Sequence, residues 1–314
     1  MAAAAIAEPA KKWLTQAQLA SWRENGMVLL EDAFTQPEIE AMRAEADAIL
    51  EMQISSSLWH GRRSSRLDWR TREDGRQLIR KIQPINDMSL LFANVSDDER
   101  MKGPLGELMG EPAILFEEKL NYKHPLPHNA PGLEALNANA AGQARQTLPQ
   151  PDSNWGQHND YAYYVANGYP ETSISSALVL DDCTIENGPL IMWPGSHKEH
   201  RLHDSEPSLG GAQNVRQLGD AVVVPEVGQH MLCKAGSILH FSVLTVHNSR
   251  PNLTTLPRRL MIYSHHPASW EGPADLRNGP SRLREAPYER AYLQACIDNA
   301  PGTQAYSLAR PAKL

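Results

Sequence analysis

The stretch SISSALVL, residues 173–180, has the length and the small, branched apolar composition of a buried strand. A turn sequence, Glu186-Asn187-Gly188, follows it and leads into a second apolar run at residues 189–193. Other strand-like segments lie on both sides, at residues 78–83, 113–116, 119–123, 236–241 and 260–263. This succession of short strands predicts a chain that is mainly β.

Two helices are predicted ahead of these strands. A hydroxyl residue followed three positions later by Gln or Glu forms a capping box at Thr15–Gln18 and again at Thr35–Glu38. Apolar residues then recur at alternating steps of three and four along residues 39–49, as they do on one face of a helix. A short apolar run at residues 26–30 separates the two helix starts, so the chain is expected to open as helix, strand, helix.

The composition excludes several classes of protein. The 314 residues include 30 Lys+Arg and 37 Asp+Glu, and the formal net charge of −7 gives no reason to expect nucleic acid or an anionic membrane as a partner. The 20 glycines and 23 prolines are too many for a coiled coil or a helical bundle. The sequence has no apolar run of about 18 residues and no signal-peptide pattern, so neither a membrane span nor secretion is predicted.

The cysteines indicate a reducing environment. Cys183, Cys233 and Cys296 are far apart in the chain, are odd in number and show no CxxC spacing. A disulfide framework and a cysteine zinc site are therefore not expected, and a cytoplasmic location is.

The domain organisation predicted from these patterns is one domain over residues 1–314. Its core, residues 14–267, is expected to be mainly β with flanking helices, folded as a double-stranded β-helix (a cupin-like jelly roll) behind the N-terminal helices. Residues 124–154 lack periodicity and are interpreted as a lid loop, because compact domains rarely keep so long a loop without a use for it. Residues 268–314 are expected to form a C-terminal helix, near residues 289–297, and a tail.

Three residues could bind a metal. His158 and Asp160 are two positions apart, so on an extended segment they point to the same side. His247 ends another apolar strand-like run and could complete a set of two histidines and one carboxylate, which suits non-haem Fe(II) because three octahedral positions stay open. Arg258, at the start of the next strand, could hold a carboxylate through two hydrogen bonds. Strand alternation places only one of Arg258 and Arg259 inward.

These segments, in this order, resemble the phytanoyl-CoA dioxygenase-like Fe(II)/2-oxoglutarate oxygenases over roughly residues 14–267. The resemblance implies that His158, Asp160 and His247 are the iron ligands and that Arg258 pairs with the distal carboxylate of 2-oxoglutarate. It further implies cosubstrate contacts from three more side chains, which are Ser249, Lys81 and Lys119. Fe(II), 2-oxoglutarate and O2 are the expected cofactor and cosubstrates.

The reaction that the resemblance implies is hydroxylation of an unactivated C–H bond, with release of succinate and CO2. Related halogenases have Gly or Ala at the carboxylate position, whereas this chain has Asp160, so hydroxylation is the expected outcome. Two alternatives are a zinc hydrolase that uses the same three ligands, and a non-catalytic jelly-roll binding protein with a structural metal. Succinate release dependent on Fe(II) and 2-oxoglutarate separates the oxygenase from both.

The substrate is expected to be a small molecule: a specialised metabolite, an amino-acid derivative or an acyl compound. The arginine-rich stretch at residues 62–72 is either a phosphate-binding patch for a coenzyme A ester or a solvated loop that pairs with nearby acids. The sequence carries no indication of the oligomeric state.

The remaining histidines are given structural roles. His197, in a Pro-Gly-Ser-His motif, is interpreted as structural, and His240 is seven residues before His247, an odd spacing that places it on the opposite face of its strand. His265 and His266 follow a strand, and no pattern assigns them to the site.

Overall fold

The computed structural model describes residues 12–62, 64–72, 74–125, 155–199 and 228–272, two short strands between residues 205 and 215, and isolated residues at 130–136 and 291–298. The helices are α1 (Gln16–Asn25), α2 (Gln36–His60), α3 (Leu90–Asp97), α4 (Glu99–Met109) and α5 (Tyr161–Tyr164), with 3-10 turns at Val165–Asn167 and Ser196–Glu199. The strands are β1 (Met27–Leu30), β2 (Leu67–Thr71), β3 (Gln77–Ile82), β4 (Ala113–Lys123), β5 (Trp155–His158), β6 (Ile174–Val179), β7 (Leu190–Met192), β8 (Ser205–Glu206), β9 (Asn214–Val215), β10 (Gln229–His230), β11 (Ile238–Ser242), β12 (His247–Ser249) and β13 (Arg258–Pro267).

Two antiparallel sheets form the body of the molecule. The larger sheet has the strand order β1-β11-β6-β13-β4-β3-β2, and the smaller one has the order β10-β7-β12-β5. Apolar side chains from both sheets pack together between them, among them Ala177 of β6, Met192 of β7 and Leu239 of β11. This arrangement is a jelly roll, and it confirms the predicted fold class.

The N-terminal helices cover the outer face of the larger sheet. Both predicted capping boxes are present, at Thr15 and at Thr35, and the apolar stripe of α2 at residues 39–49 is buried against that sheet. Helix α1 ends at Gly26, whose φ of 74° is in the left-handed region. A Cβ atom on Gly26 would lie 2.4 Å from Nδ1 of His197, so this turn requires glycine for both its backbone and its packing. The predicted opening of helix, strand and helix is confirmed.

The pairing of β4 with β13 sets the inner face of the larger sheet. Lys119 lies opposite Ile262, Asn121 opposite Leu260, and Lys123 opposite Arg258. Since directly opposite residues point to the same side of a sheet, and Leu260 and Ile262 pack between the sheets, these β4 side chains face inward. Charged and polar groups therefore line the interior of the jelly roll along this strand.

Part of the segment predicted to be a lid, residues 124–154, packs into the core. Ala130, Leu133 and Leu136 are buried in the cluster that contains α2, and the Ala130 amide donates to the Gln77 carbonyl at 3.2 Å. Residues 137–154 and most of the predicted C-terminal helix at residues 289–297 lie outside the described residues. The lid over residues 137–154 and the C-terminal helix therefore stay predictions. In the described part of the chain, no helix combines the length and the apolar character that crossing a membrane requires.

Two arginines of the stretch at residues 62–72 have acidic partners. Arg66 pairs with Asp87 at 2.6 Å, and Arg72 lies 3.4 Å from Asp74. These contacts favour the interpretation of a loop that pairs with nearby acids.

Candidate metal centre

Three predicted ligands meet between the two sheets. His158 ends β5 and His247 begins β12, and the two residues are direct partners in the antiparallel register of these strands. Asp160 follows His158 by two residues, in the turn before α5. Its Oδ1 atom lies 3.9 Å from His158 Nε2 and 3.8 Å from His247 Nε2, and one ligand atom from each residue lies within 4.8 Å of the other two. Atoms this close can share one metal ion.

The hydrogen bonding of His247 leaves the correct nitrogen available to a metal. Its Nδ1 lies 3.0 Å from the carbonyl oxygen of Thr245, which can only accept, so Nδ1 carries the proton. In the neutral ring, which is the form that binds a metal, Nε2 holds the lone pair, and this is the nitrogen that faces Asp160. The ring is also held by the edge of Phe241, with ring centroids 5.1 Å apart.

Asp160 is buried and stays ionised. Burial opposes its charge, but the charges of His247, Lys119 and His158 and a hydrogen bond from Ser175 outweigh burial and hold the pKa of Asp160 below its usual range. Ser175 Oγ donates to Asp160 Oδ2 at 2.6 Å. The local turn is fixed by the Ala162 amide, which donates to Asn159 Oδ1 at 3.2 Å. A carboxylate kept charged in this way is a good ligand for a divalent cation.

Arg258 is buried at the start of β13, opposite Lys123 on the inner face of the larger sheet, and part of its guanidinium has no hydrogen-bond partner. Its side chain is 2 % exposed, Nη2 donates to the Gly188 carbonyl at 2.6 Å, and Nε has no hydrogen-bond partner. Among the described residues, no carboxylate lies within ion-pair distance of it. Burial lowers the pKa of Arg258, yet a guanidinium stays charged at any physiological pH. A buried guanidinium without an ion-pair partner among these residues fits a site for an anionic ligand.

Arg259 has the opposite environment, as strand alternation predicts. It faces α2, where it donates to Asp181 at 2.8 Å and to Asp47 at 2.6 Å. These acidic partners make Arg259 a structural residue on the outer face of the sheet.

Lys123 is a site residue that sequence reasoning did not assign. It is buried directly opposite Arg258 and donates to Ser249 Oγ at 2.8 Å and to the Arg250 carbonyl at 2.5 Å. The signal was present in the alternation of β4, which places Lys123 on the same face as Lys119. Ser249, one of the predicted cosubstrate contacts, is thereby held beside the two cations Lys123 and Arg258.

Lys119 and Lys81 are both linked to Glu117, Lys119 directly and Lys81 through Gln83. Lys119 Nζ pairs with Glu117 at 3.0 Å, and its charge acts on Asp160. Lys81 donates to Gln83 at 3.3 Å, and Gln83 donates to Glu117 at 2.7 Å. Sequence reasoning did not assign Glu117 to the site. The contact of Lys119 and Lys81 with a cosubstrate stays a prediction.

The structural roles predicted for other histidines agree with the fold. His240 lies on the outer face of its strand with Nδ1 2.8 Å from Ser176 Oγ, and burial lowers its pKa to about 3. Burial likewise lowers the pKa of His265 to about 3. His197 packs under Gly26. His266 lies in an aromatic cluster, where its ring centroid is 4.7 Å from that of Trp270.

Comparison with known proteins identifies the family. Residues 22–260 match the family model of phytanoyl-CoA dioxygenase. Ectoine dioxygenase of Halomonas elongata is 26% identical over 263 residues, which are 78% of this chain and 68% of that protein. Methylphosphonate hydroxylase of Gimesia maris is 25% identical over 259 residues, 81% of each chain.

Solved structures agree on the fold. EctD from S. alaskensis with bound Fe superposes with a TM-score of 0.61 at 18% identity, over 85% of this chain and 82% of that one. The same protein with 2-oxoglutarate and 5-hydroxyectoine gives a TM-score of 0.60 at 19% identity, over 83% and 79%. With a family match over most of its length and the jelly roll that this match predicts, the chain belongs to the phytanoyl-CoA dioxygenase family.

Proposed function

We propose that this protein is an Fe(II)- and 2-oxoglutarate-dependent dioxygenase that hydroxylates a C–H bond of a small molecule. The overall reaction converts substrate C–H, O2 and 2-oxoglutarate into substrate C–OH, succinate and CO2. The observation that carries the proposal is that one jelly roll holds both the three-ligand set of His158, Asp160 and His247 and, on its inner face, the buried Arg258 with its unpartnered Nε.

The ligand set fits the metal. Two imidazole nitrogens and one carboxylate oxygen are the protein ligands of non-haem Fe(II) oxygenases, and they leave open positions for a chelating cosubstrate and O2. When bound, Fe(II) supplies the redox chemistry that activates O2, coupled to decarboxylation of 2-oxoglutarate. His158, Asp160 and His247 would hold the ion, with the lone pair of His247 oriented by the hydrogen bond to Thr245.

The cations on β4 and β13 would bind the cosubstrate. Arg258 presents a planar fork that matches the distal carboxylate, and Ser249 and Lys123 add a hydroxyl and a second positive charge beside it. Because these groups are buried, their attraction for a carboxylate is little screened by water. This clamp would orient 2-oxoglutarate toward the metal ligands, and Lys119 and Lys81 would add positive charge along the same face.

The alternatives account for less of the site. A zinc hydrolase would use the three ligands but would leave the buried Arg258 with an unpartnered Nε and with no ion-pair partner among the described residues. A protein with a purely structural metal leaves the same group unexplained.

The substrate and the location follow the sequence-based expectations. The relatives are named for ectoine and methylphosphonate, which are small molecules, and we infer a small-molecule substrate here: a specialised metabolite, an amino-acid derivative or an acyl compound. The cysteine pattern, with Cys183, Cys233 and Cys296 far apart in the chain and odd in number, supports a reducing, cytoplasmic compartment.

The proposal is tested by succinate release from purified protein supplied with Fe(II), ascorbate and 2-oxoglutarate, with and without a metabolite library. Turnover is expected with Fe(II) and not with Zn(II), and Asp160→Ala should abolish it. Asp74→Asn, which changes an exposed acid on the β2–β3 hairpin, is the control and should retain activity. Equal turnover by the wild type and Asp160→Ala would contradict the proposal.

A further inference from the structure

A chain of buried hydroxyl groups lies behind the metal centre and ends on Asp160. Ser175 Oγ donates to Asp160 Oδ2 at 2.6 Å, whereas Oδ1 is the oxygen that faces both imidazoles, at 3.8 and 3.9 Å. The two oxygens of this carboxylate therefore have different environments. One is directed to the protein, and one is directed to the site of the metal.

The row of side chains that supports Ser175 is set by strand register. Ser264 on β13 lies directly opposite Ser175 on β6 and opposite Glu117 on β4. Ser264 Oγ is 3.3 Å from Ser175 Oγ and 3.0 Å from the hydroxyl of Tyr164, which in turn donates to Glu117 at 2.5 Å. All of these side chains are buried. The row therefore joins Asp160 to Glu117 across three adjacent strands.

Proton counting fixes the direction of the two outer hydrogen bonds. An ionised carboxylate only accepts, so Ser175 gives its single proton to Asp160, and Tyr164 gives its proton to Glu117. Ser264 has one proton to share between the oxygens of Ser175 and Tyr164. Each arrangement leaves Ser175 as a donor to Asp160 Oδ2.

We propose that Ser175 is a positioning residue that holds Asp160 in one-oxygen coordination, through Oδ1. This inference rests on the proposed function. A carboxylate bound through both oxygens would occupy one of the three positions that 2-oxoglutarate and O2 require. By engaging Oδ2, Ser175 keeps that position open. Its role is therefore in cosubstrate binding, and it is not needed to retain the metal.

This role predicts a split between two affinities. In Ser175→Ala, Oδ2 is released and can turn to the metal, so metal affinity should be unchanged or higher, while 2-oxoglutarate should bind about tenfold more weakly. Ser176→Ala is the matched control, because Ser176 is adjacent, equally buried and of the same chemistry, but faces His240 on the other side of the strand. It should bind both ligands as the wild type does.

The experiment is anaerobic titration of each protein, first with Fe(II) by calorimetry and then with 2-oxoglutarate, followed by the charge-transfer absorption of the Fe(II) chelate. Melting temperatures are measured in parallel. Wild-type 2-oxoglutarate affinity in Ser175→Ala would overturn the inference, and so would a loss of Fe(II) affinity that accompanies a lower melting temperature. A wild-type protein that shows no Fe(II) or 2-oxoglutarate binding would instead overturn the proposed function.

A second variant keeps the test decisive where Ser175→Ala does not fold. Ser264→Ala removes the neighbouring hydroxyl without touching Asp160, so it should weaken 2-oxoglutarate binding in the same direction by a smaller factor, again without loss of Fe(II) affinity. Unchanged affinity for 2-oxoglutarate in this variant would overturn the inference in that case.

Discussion

Replacing Arg258 by Met should separate ligand binding from stability. The guanidinium can give a carboxylate two charge-assisted hydrogen bonds, worth about 1.5–3 kcal/mol each. Losing both should raise the Kd for 2-oxoglutarate at least about 100-fold, since about 1.4 kcal/mol corresponds to a factor of ten.

The stability of the ligand-free protein should change little in this variant. Met removes a buried charge that has no ion-pair partner among the described residues, which relieves a desolvation penalty of about 1–3 kcal/mol. Against this, the Gly188 carbonyl loses its donor, at a cost of about 1–3 kcal/mol. Because the two effects oppose each other, the melting temperature should move by less than about 4 °C.

Arg259→Met is the matched control and should behave in the opposite way. It breaks ion pairs of a buried guanidinium with the part-buried Asp181 and the exposed Asp47 on the outer face of the sheet, so it should lose about 1–3 kcal/mol of stability. Its affinity for 2-oxoglutarate should equal that of the wild type. Both quantities come from calorimetric titration with 2-oxoglutarate in the presence of Mn(II), and from melting curves without ligand. A wild-type Kd in Arg258→Met, or a large loss of stability in that variant, would refute the assignment of Arg258 as the carboxylate clamp.

Three further predictions concern stability. Gly26→Ala should lower the free energy of unfolding by about 1–3 kcal/mol, because Gly26 has a positive φ and His197 lies close to it. Gly61→Ala is the control and should lose less, because Gly61 also has a positive φ but has no neighbour within 4 Å. Equal losses in denaturant titrations of the two variants would contradict this prediction. Burial raises the pKa of Glu118 to about 8, so the folded state holds this proton more tightly than the unfolded chain does. The free energy of unfolding should therefore fall as the pH rises from about 4.5 to about 8, by at most about 1.4 kcal/mol per pH unit. Glu118→Gln should remove this pH dependence in unfolding curves recorded at pH 5 to 9. Chelation of metal should lower the melting temperature, and added Mn(II) should restore it. At a free Mn(II) concentration of 100 times its Kd, the folded state should gain about 2.7 kcal/mol of stability. His247→Ala should lose this response, and a response retained in that variant would place the metal elsewhere.

The sequence predicted features that depend on local chemistry. The capping boxes at Thr15 and Thr35 and the apolar stripe of α2 follow from residues three or four apart, and the structure has all of them. The opposite environments of Arg258 and Arg259 follow from strand alternation alone. The candidate ligand set was predicted because His158 and Asp160 are two residues apart in the chain and because the motif around His247 resembles that of a known family.

The residues that were missed depend on pairing between distant strands. Lys123 meets Ser249 across 126 positions of sequence, and Ser175 meets Ser264 across 89. No local pattern distinguishes Ser175 from Ser176, although one supports Asp160 and the other contacts His240. Their roles are decided by which face of β6 looks toward the smaller sheet, and this becomes visible only once the register of the sheet is known.

The metal centre and the carboxylate clamp can be seen together in a crystal structure of the protein grown without oxygen in the presence of Fe(II) and 2-oxoglutarate, with the iron located by its anomalous scattering. We expect one iron bound by Nε2 of His158, Oδ1 of Asp160 and Nε2 of His247, with the distal carboxylate of 2-oxoglutarate on Arg258. Iron bound by other residues, or a cosubstrate whose carboxylate avoids Arg258, would contradict it.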